Sequence, residues 1–151
     1  MVGGVAAGGI VQLVTARFSF LVMHLIVTCV LVDNKMPLIQ INLDPRDSEG
    51  DRTEEYENID AWLTALLALA ILFMAAEFTG VLSGYAIHQK NANIVSVAAH
   101  LVGFASTISM LLNGWTVDIY PYVFTFCSLL PAGFDSLWWA FRSCTQKARP
   151  R

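Results

Sequence analysis

Charge is scarce in this chain. Only 14% of its 151 residues are Asp, Glu, Lys or Arg, against roughly 25% in a typical soluble domain. A disordered, solvated chain combines high charge with few aromatics, whereas this one holds nine Phe, four Trp and four Tyr. A nucleic-acid binder needs a basic face, and the net charge here is −3. Cysteine is sparse too: Cys29, Cys127 and Cys144 form no CxxC pair, which argues against a disulfide framework or a thiolate zinc site. There is no GxSxG, no HExxH and no Gly-rich phosphate loop, so nucleophilic and hydrolytic chemistry have no support. N-x-S/T sequons and internal repeats are also absent. What remains in abundance is apolar: 56% of residues are hydrophobic and the mean hydropathy is +0.57. A chain of 16.6 kDa leaves too much of its surface wet to hide that much apolar area. Its solvent is therefore lipid.

Four segments are apolar enough, and close enough to the ~20 residues needed, to cross a bilayer: 17–32, 61–87, 94–112 and 119–141. The first has a short core, Phe18–Val32, and reaches full length if Val11–Ala16 joins the helix and Arg17 snorkels to the interface. No basic region precedes it and no small-x-small site follows it, so it is expected to stay as a helix and not be cleaved as a signal peptide. Arg17, Lys90, Arg142, Lys147, Arg149 and Arg151 share one side, without an acid. Lys35, Arg46 and Arg52 share the other with Asp118 and the acids of Asp33–Asp60. The positive-inside rule then expects an all-α, up-down four-helix bundle with both termini cytoplasmic. Aromatics suit that placement, with Trp62, Trp115, Tyr120 and Tyr122 at the outer edge and Tyr85, Trp138 and Trp139 at the inner one. Residues 1–151 form a single domain, with 142–151 as a basic cytoplasmic tail. In the outer loop, Met36–Leu43 alternates apolar residues at Ile39, Ile41 and Leu43 and is expected to be a short extended piece. Asp44–Asp60, acidic and carrying Pro45 and Gly50, is expected to be a flexible solvated face.

Each span carries one ionisable group inside its apolar stretch: His24, Glu77, His100 and Asp135. Facing lipid, such groups cost several kcal/mol, so all four are expected to point inward and pair. Each lies on a stripe of small or polar residues at helical spacing: Thr28; Gly80, Ser83 and Gly84; Ser96, Gly103 and Thr107; Ser128 and Pro131. Small residues let backbones approach, and polar side chains bond across the interface. A structural role for this layer is the leading expectation. A proton or cation route is the alternative, and two His with two carboxylates also have zinc-ligand chemistry. Against the metal, no ligand pair shares a helix at i, i+4. Against transport, there is no inverted repeat or matched pair of broken helices. Pro131 removes the bond to the Cys127 carbonyl and is expected to kink span four, with Ser128 or a neighbouring helix satisfying that carbonyl. No catalytic residue, cofactor or metal site is expected. Arg142, Lys147, Arg149 and Arg151 are candidates for anionic lipid or a cytoplasmic partner. Cys144 is expected to be an unmodified thiol, although its position would allow S-acylation.

The stretch from Glu77 to Asp135 resembles the transmembrane protein 107 family of ciliary transition-zone membrane proteins. The matching pieces are EFTGVLSG (77–84), NIVSVAAH ending at His100, Trp115, and YPYVFTFCSLLPA (120–132). ARFSFLVMHL around Arg17 and His24, MPLIQINL, and EEY at Glu54–Tyr56 are weaker matches. The glycine-rich N-terminus and acidic outer loop look longer than in the family pattern. The resemblance implies four spans with cytoplasmic termini and residence in the membrane at the base of the cilium. It also implies a non-enzymatic role in assembling the module of tectonics, meckelin and B9-domain proteins. That role would support ciliogenesis, the ciliary membrane diffusion barrier and, in animals, Hedgehog signalling.

Overall fold

A computed structural model of the chain describes residues 3–46, 48–84, 90–134 and 136. Helix α1 (Gly3–Asp33) is followed by the short α2 (Lys35–Asn42), then α3 (Glu49–Leu82) and α4 (Lys90–Asn113). A 3-10 turn, Val117–Ile119, leads into α5 (Tyr120–Phe124), which continues through a π-helical turn at Thr125–Leu129 into helical residues 130–134. Among the described residues, four segments are long and apolar enough to cross a membrane: Gly8–Asp33, Glu49–Leu82, Lys90–Asn113 and Val117–Phe134. The all-α, four-span architecture expected from the sequence is the one observed. Helix α1 packs mainly against α4 and then α3, and the π-helical turn packs against α4.

The buried positions follow one rule on all three long helices. On α1 they fall at Arg17, Leu21, His24, Thr28 and Leu31, with Val27 buried beside Thr28. On α3 they are Leu63, Leu67, Ala70, Met74, Glu77 and Val81, and on α4 Asn93, Ser96, His100, Gly103, Thr107 and Met110. Alternating steps of three and four keep one narrow stripe turned to the partners, the spacing of knobs-into-holes packing. Along this stripe the chemistry changes. Leu31, Leu38, Ile39, Leu63, Met110 and Val117 form an apolar cluster at the α2 end, whereas the polar positions gather toward the opposite end. The remaining faces expose Leu72, Leu101, Val102 and Leu112, as lipid-facing helices do.

Three expectations about the connections are corrected. Met36–Leu43 is not extended: residues 35–42 are helical, with Leu38 and Ile39 buried. Over eight residues, alternation cannot be told from one helix face, and Pro37 in the first turn removes an N–H that had no helical partner anyway. The acidic half of the loop is not flexible from Glu49 onward, because it forms the first turns of α3. Ser48 caps that helix by accepting from the Asp51 N–H at 3.3 Å, and Glu49 and Asp51 in the first turn complement its dipole. At 34 residues, α3 is about 51 Å long, so its acidic start extends past the ~30 Å hydrocarbon core. Span two also ends at Leu82 rather than Ile87, where Ser83 caps it and Gly84 takes the left-handed φ of +72° that ends helices. The expected inner turn 88–93 lies partly outside the described residues, and so do Tyr85, Trp138, Trp139, Cys144 and the rest of the basic tail.

Helix α2 is tied to α3 by polar contacts at the bundle end. Lys35 Nζ lies 2.7 Å from Asp60 Oδ1 and donates to Thr64 Oγ1 at 2.5 Å, while the Tyr56 hydroxyl meets the Met36 sulfur. Asn42 Oδ1 accepts from the Val117 N–H at 3.3 Å, joining α2 to the start of the last span. Both partners of the Lys35–Asp60 pair touch solvent, so water screens it. Lys35→Ala is expected to change stability by less than about 1 kcal/mol in detergent unfolding, and a loss of several kcal/mol would contradict that reading.

Candidate functional site: a buried polar network

The polar stripes of α1, α3 and α4 meet at Glu77. Its Oε2 accepts from Arg17 Nη2 at 3.0 Å, from Ser96 Oγ at 3.1 Å and from His100 Nε2 at 3.0 Å. Arg17 Nη1 also donates to Asn93 Oδ1 at 2.9 Å. On its other edge, His100 Nδ1 lies 3.2 Å from His24 Nδ1, with the two rings 5.5 Å apart and tilted by 58°. No member is more than 3% exposed. Thus a guanidinium, a carboxylate and two imidazoles run in series through the helix interface, well out of reach of solvent. Glu77 Oε1 is buried and, among the described residues, has no hydrogen-bond partner. Two hydroxyls further along the stripe are satisfied locally: Thr28 donates to the His24 carbonyl and Thr107 to the Gly103 carbonyl, each at 2.8 Å.

Space for the histidine pair comes from Gly103. A Cβ at that position would lie 2.7 Å from His24 Nε2 and 2.8 Å from Cys127 Cβ, so any side chain there would displace the His24 ring. This is the close approach for which small residues are used in membranes. Gly80 differs. Among the described residues, a Cβ there meets nothing within 4 Å, so its expected role in packing against them is corrected: toward them it presents an open face. Ser83 is the exposed cap of α3, its hydroxyl bonded to the Gly80 carbonyl at 2.8 Å, and Gly84 ends the helix. Neither joins the packing stripe. Gly80→Leu is therefore expected to shift the stability of the isolated protein by no more than about 0.5 kcal/mol, and a larger loss on unfolding would show a neighbour at that face.

In span four, Ser128 is buried, as is Pro131. The chain accommodates the proline by widening the helix ahead of it: the Leu130 N–H donates to the Thr125 carbonyl, five residues back. Such a π turn commonly sits where an insertion must be absorbed without breaking the helix. Asp135, Arg142, Lys147, Arg149 and Arg151 lie outside the described residues. Arg17 is the member that sequence reasoning misplaced. It was expected to reach the interface, yet it is 2% exposed and paired with Glu77. Its spacing of seven residues from His24, like that of Asn93 from His100, is the signal that puts each pair on one helix face. Among the described residues, no group of three or more His, Cys, Asp or Glu side chains could hold a metal ion.

Comparison with known proteins agrees with this framework. The family model TMEM107, described as a transmembrane protein, matches residues 13–139. Transmembrane protein 107 of Mus musculus is 34% identical over 125 residues, covering 83% of this chain and 86% of its own. The Homo sapiens protein of that name is 31% identical over the same shares of the two chains. The Danio rerio protein is 27% identical, over 80% of this chain and 87% of its own. No solved structure gives a significant match. With four apolar spans in the matched region and the family model covering most of its length, this chain belongs to the transmembrane protein 107 family.

Proposed function

We propose that this protein is a non-enzymatic, multi-pass component of the ciliary transition-zone membrane, with both termini in the cytoplasm. There it helps to assemble the module of tectonics, meckelin and B9-domain proteins, and so supports ciliogenesis and the barrier that controls ciliary membrane composition. Its membership of the transmembrane protein 107 family over residues 13–139 carries this reading. A supporting point is that the interior is spent on cross-linking helices, since every described charged group in it is engaged by another helix. That arrangement suits a rigid partner for other membrane proteins, docked laterally through its helix faces, with the basic tail near anionic lipid. A proton- or cation-coupled transporter is not favoured. Among the described residues, the run of side-chain contacts from Glu77 leads to His24 and His100, and the apolar cluster of Leu31, Leu38, Ile39, Leu63, Met110 and Val117 fills the bundle toward the α2 end.

The test is imaging of the tagged protein against a basal-body marker in ciliated cells. Wild type is expected at the ciliary base, and Glu77→Leu is expected to be lost from it. Wild-type protein spread over other membranes would overturn the assignment. Loss of the signal in Gly80→Leu, whose own fold is expected to be intact, would point to a partner helix on that open face.

A further inference from the structure

Acyl chains supply no hydrogen-bond donor, so a main-chain carbonyl left open in the hydrocarbon core is costly until another protein group reaches it. The last span holds such a group. The Leu130 N–H donates to the Thr125 carbonyl, five residues back, and is spent there. Pro131, the next residue, has no N–H. The Phe126 carbonyl therefore loses both helical donors within its reach, the one four residues ahead and the one five ahead. Phe126 is the tenth of the 18 residues of Val117–Phe134, about 12 Å from the nearer end of that segment. A helical carbonyl points toward the C-terminus, so this one is bracketed by the side chains of Phe126, Leu129 and Leu130. All three are exposed. Gly133, one turn further along the same face, is exposed as well, and a Cβ there would meet nothing within 4 Å.

We infer that this face of the last span docks a transmembrane helix of another protein that presents a donor side chain (Ser, Thr, Asn or Gln) at mid-bilayer depth, the donor closing on the Phe126 carbonyl. Complementary partial charge selects that occupant: the open oxygen is negative, and at this depth only a helix side chain brings a polar hydrogen. Gly133 leaves room for the incoming backbone, as small residues do between membrane helices. A second copy of this chain fits less well. Two copies share one topology and would pair these spans in parallel. The nearest exposed hydroxyl on the face is that of Thr125, which leans toward the helix N-terminus as helical side chains do and donates to the Pro121 carbonyl at 2.8 Å. The Phe126 carbonyl points the other way, so a two-fold pair leaves donor and acceptor about one turn apart, roughly 5 Å. The inference gives a face and a chemistry to the lateral docking proposed above and rests on that part of the reading, but not on where in the cell the docking occurs.

Phe126–Cys127 is the only Phe–Cys pair in the chain, so 13C-carbonyl Phe combined with 15N-Cys isolates this one peptide group by NMR. The full chain in phosphatidylcholine nanodiscs is observed alone and with a Leu–Ala transmembrane peptide carrying one central Asn. The Phe126 carbonyl is expected to resonate as an unbonded group in the protein alone and to move downfield when the Asn peptide is added. The same peptide with Leu in place of Asn is expected to leave it unmoved and to bind about tenfold more weakly. Pro131→Ala, which returns an N–H five residues past Phe126, is expected to show the bonded position without peptide and to lose the preference for Asn. A resonance that the Asn peptide does not move would overturn the proposal, and so would a bonded carbonyl in dilute wild type. A downfield shift that grows with the number of copies per disc would also overturn it, by making a second copy the occupant. Each of these outcomes is read on the wild-type chain and leaves the ciliary assignment to be decided by imaging.

Discussion

Glu77→Leu is expected to destabilise the bundle by about 3–5 kcal/mol, because the buried Arg17 guanidinium loses the carboxylate 3.0 Å away while staying in the interior. The Arg17 guanidinium would stay in the interior with its carboxylate gone, and Ser96 and His100 would each lose an acceptor. Unfolding by denaturing detergent, followed by helical circular dichroism, reads this directly. Arg17→Leu should cost a comparable amount for the mirror-image reason. The double variant, Arg17→Leu with Glu77→Leu, is expected to recover much of the loss, since two apolar side chains bury no stranded charge. Additive losses in the double variant would mean that the two residues act separately, contrary to the 3.0 Å contact between them.

Gly103→Leu carries the second large effect. The space a side chain needs at position 103 is held by the His24 ring on one side and Cys127 on the other, so the larger residue must push α1 and the last span away from α4. Overpacking of this kind typically costs about 1–3 kcal/mol, and here it also breaks the His24–His100 contact. Its histidine 15N spectrum is expected to lose the coupled pair, and stability is expected to fall well below that of Gly80→Leu. The two glycines look alike in the sequence, each three residues after an ionisable group. Equal behaviour of the two variants would contradict the packing described for α4.

The same contrast marks how far the sequence could be read. Lipid as the solvent, the helical class, the number of spans, and His24, Glu77 and His100 as interior groups were all legible, because each follows from composition, apolar length or helical spacing within a single segment. The cap at Ser48 with Asp51 was legible too, by the same spacing rule, and would have turned the acidic loop into the start of α3. Arg17 was not. A basic residue at the edge of an apolar run has two outlets, the headgroup layer or a buried acid, and chain-local information cannot choose between them. The choice depended on the depth at which α3 packs against α1, which sets Glu77 Oε2 3.0 Å from Arg17 Nη2.

What this sequence determined by itself is a set of apolar rods with a few polar teeth, since the cost of wetting or lipid exposure is a property of each residue and its immediate neighbours. Only the tertiary structure decided which teeth mesh: that three donors converge on one oxygen of Glu77, that Gly103 makes room for His24, and that Gly80 faces outward. Those outcomes depend on the rotation and depth of each helix relative to the others, and such quantities are set by the packing of all the helices together.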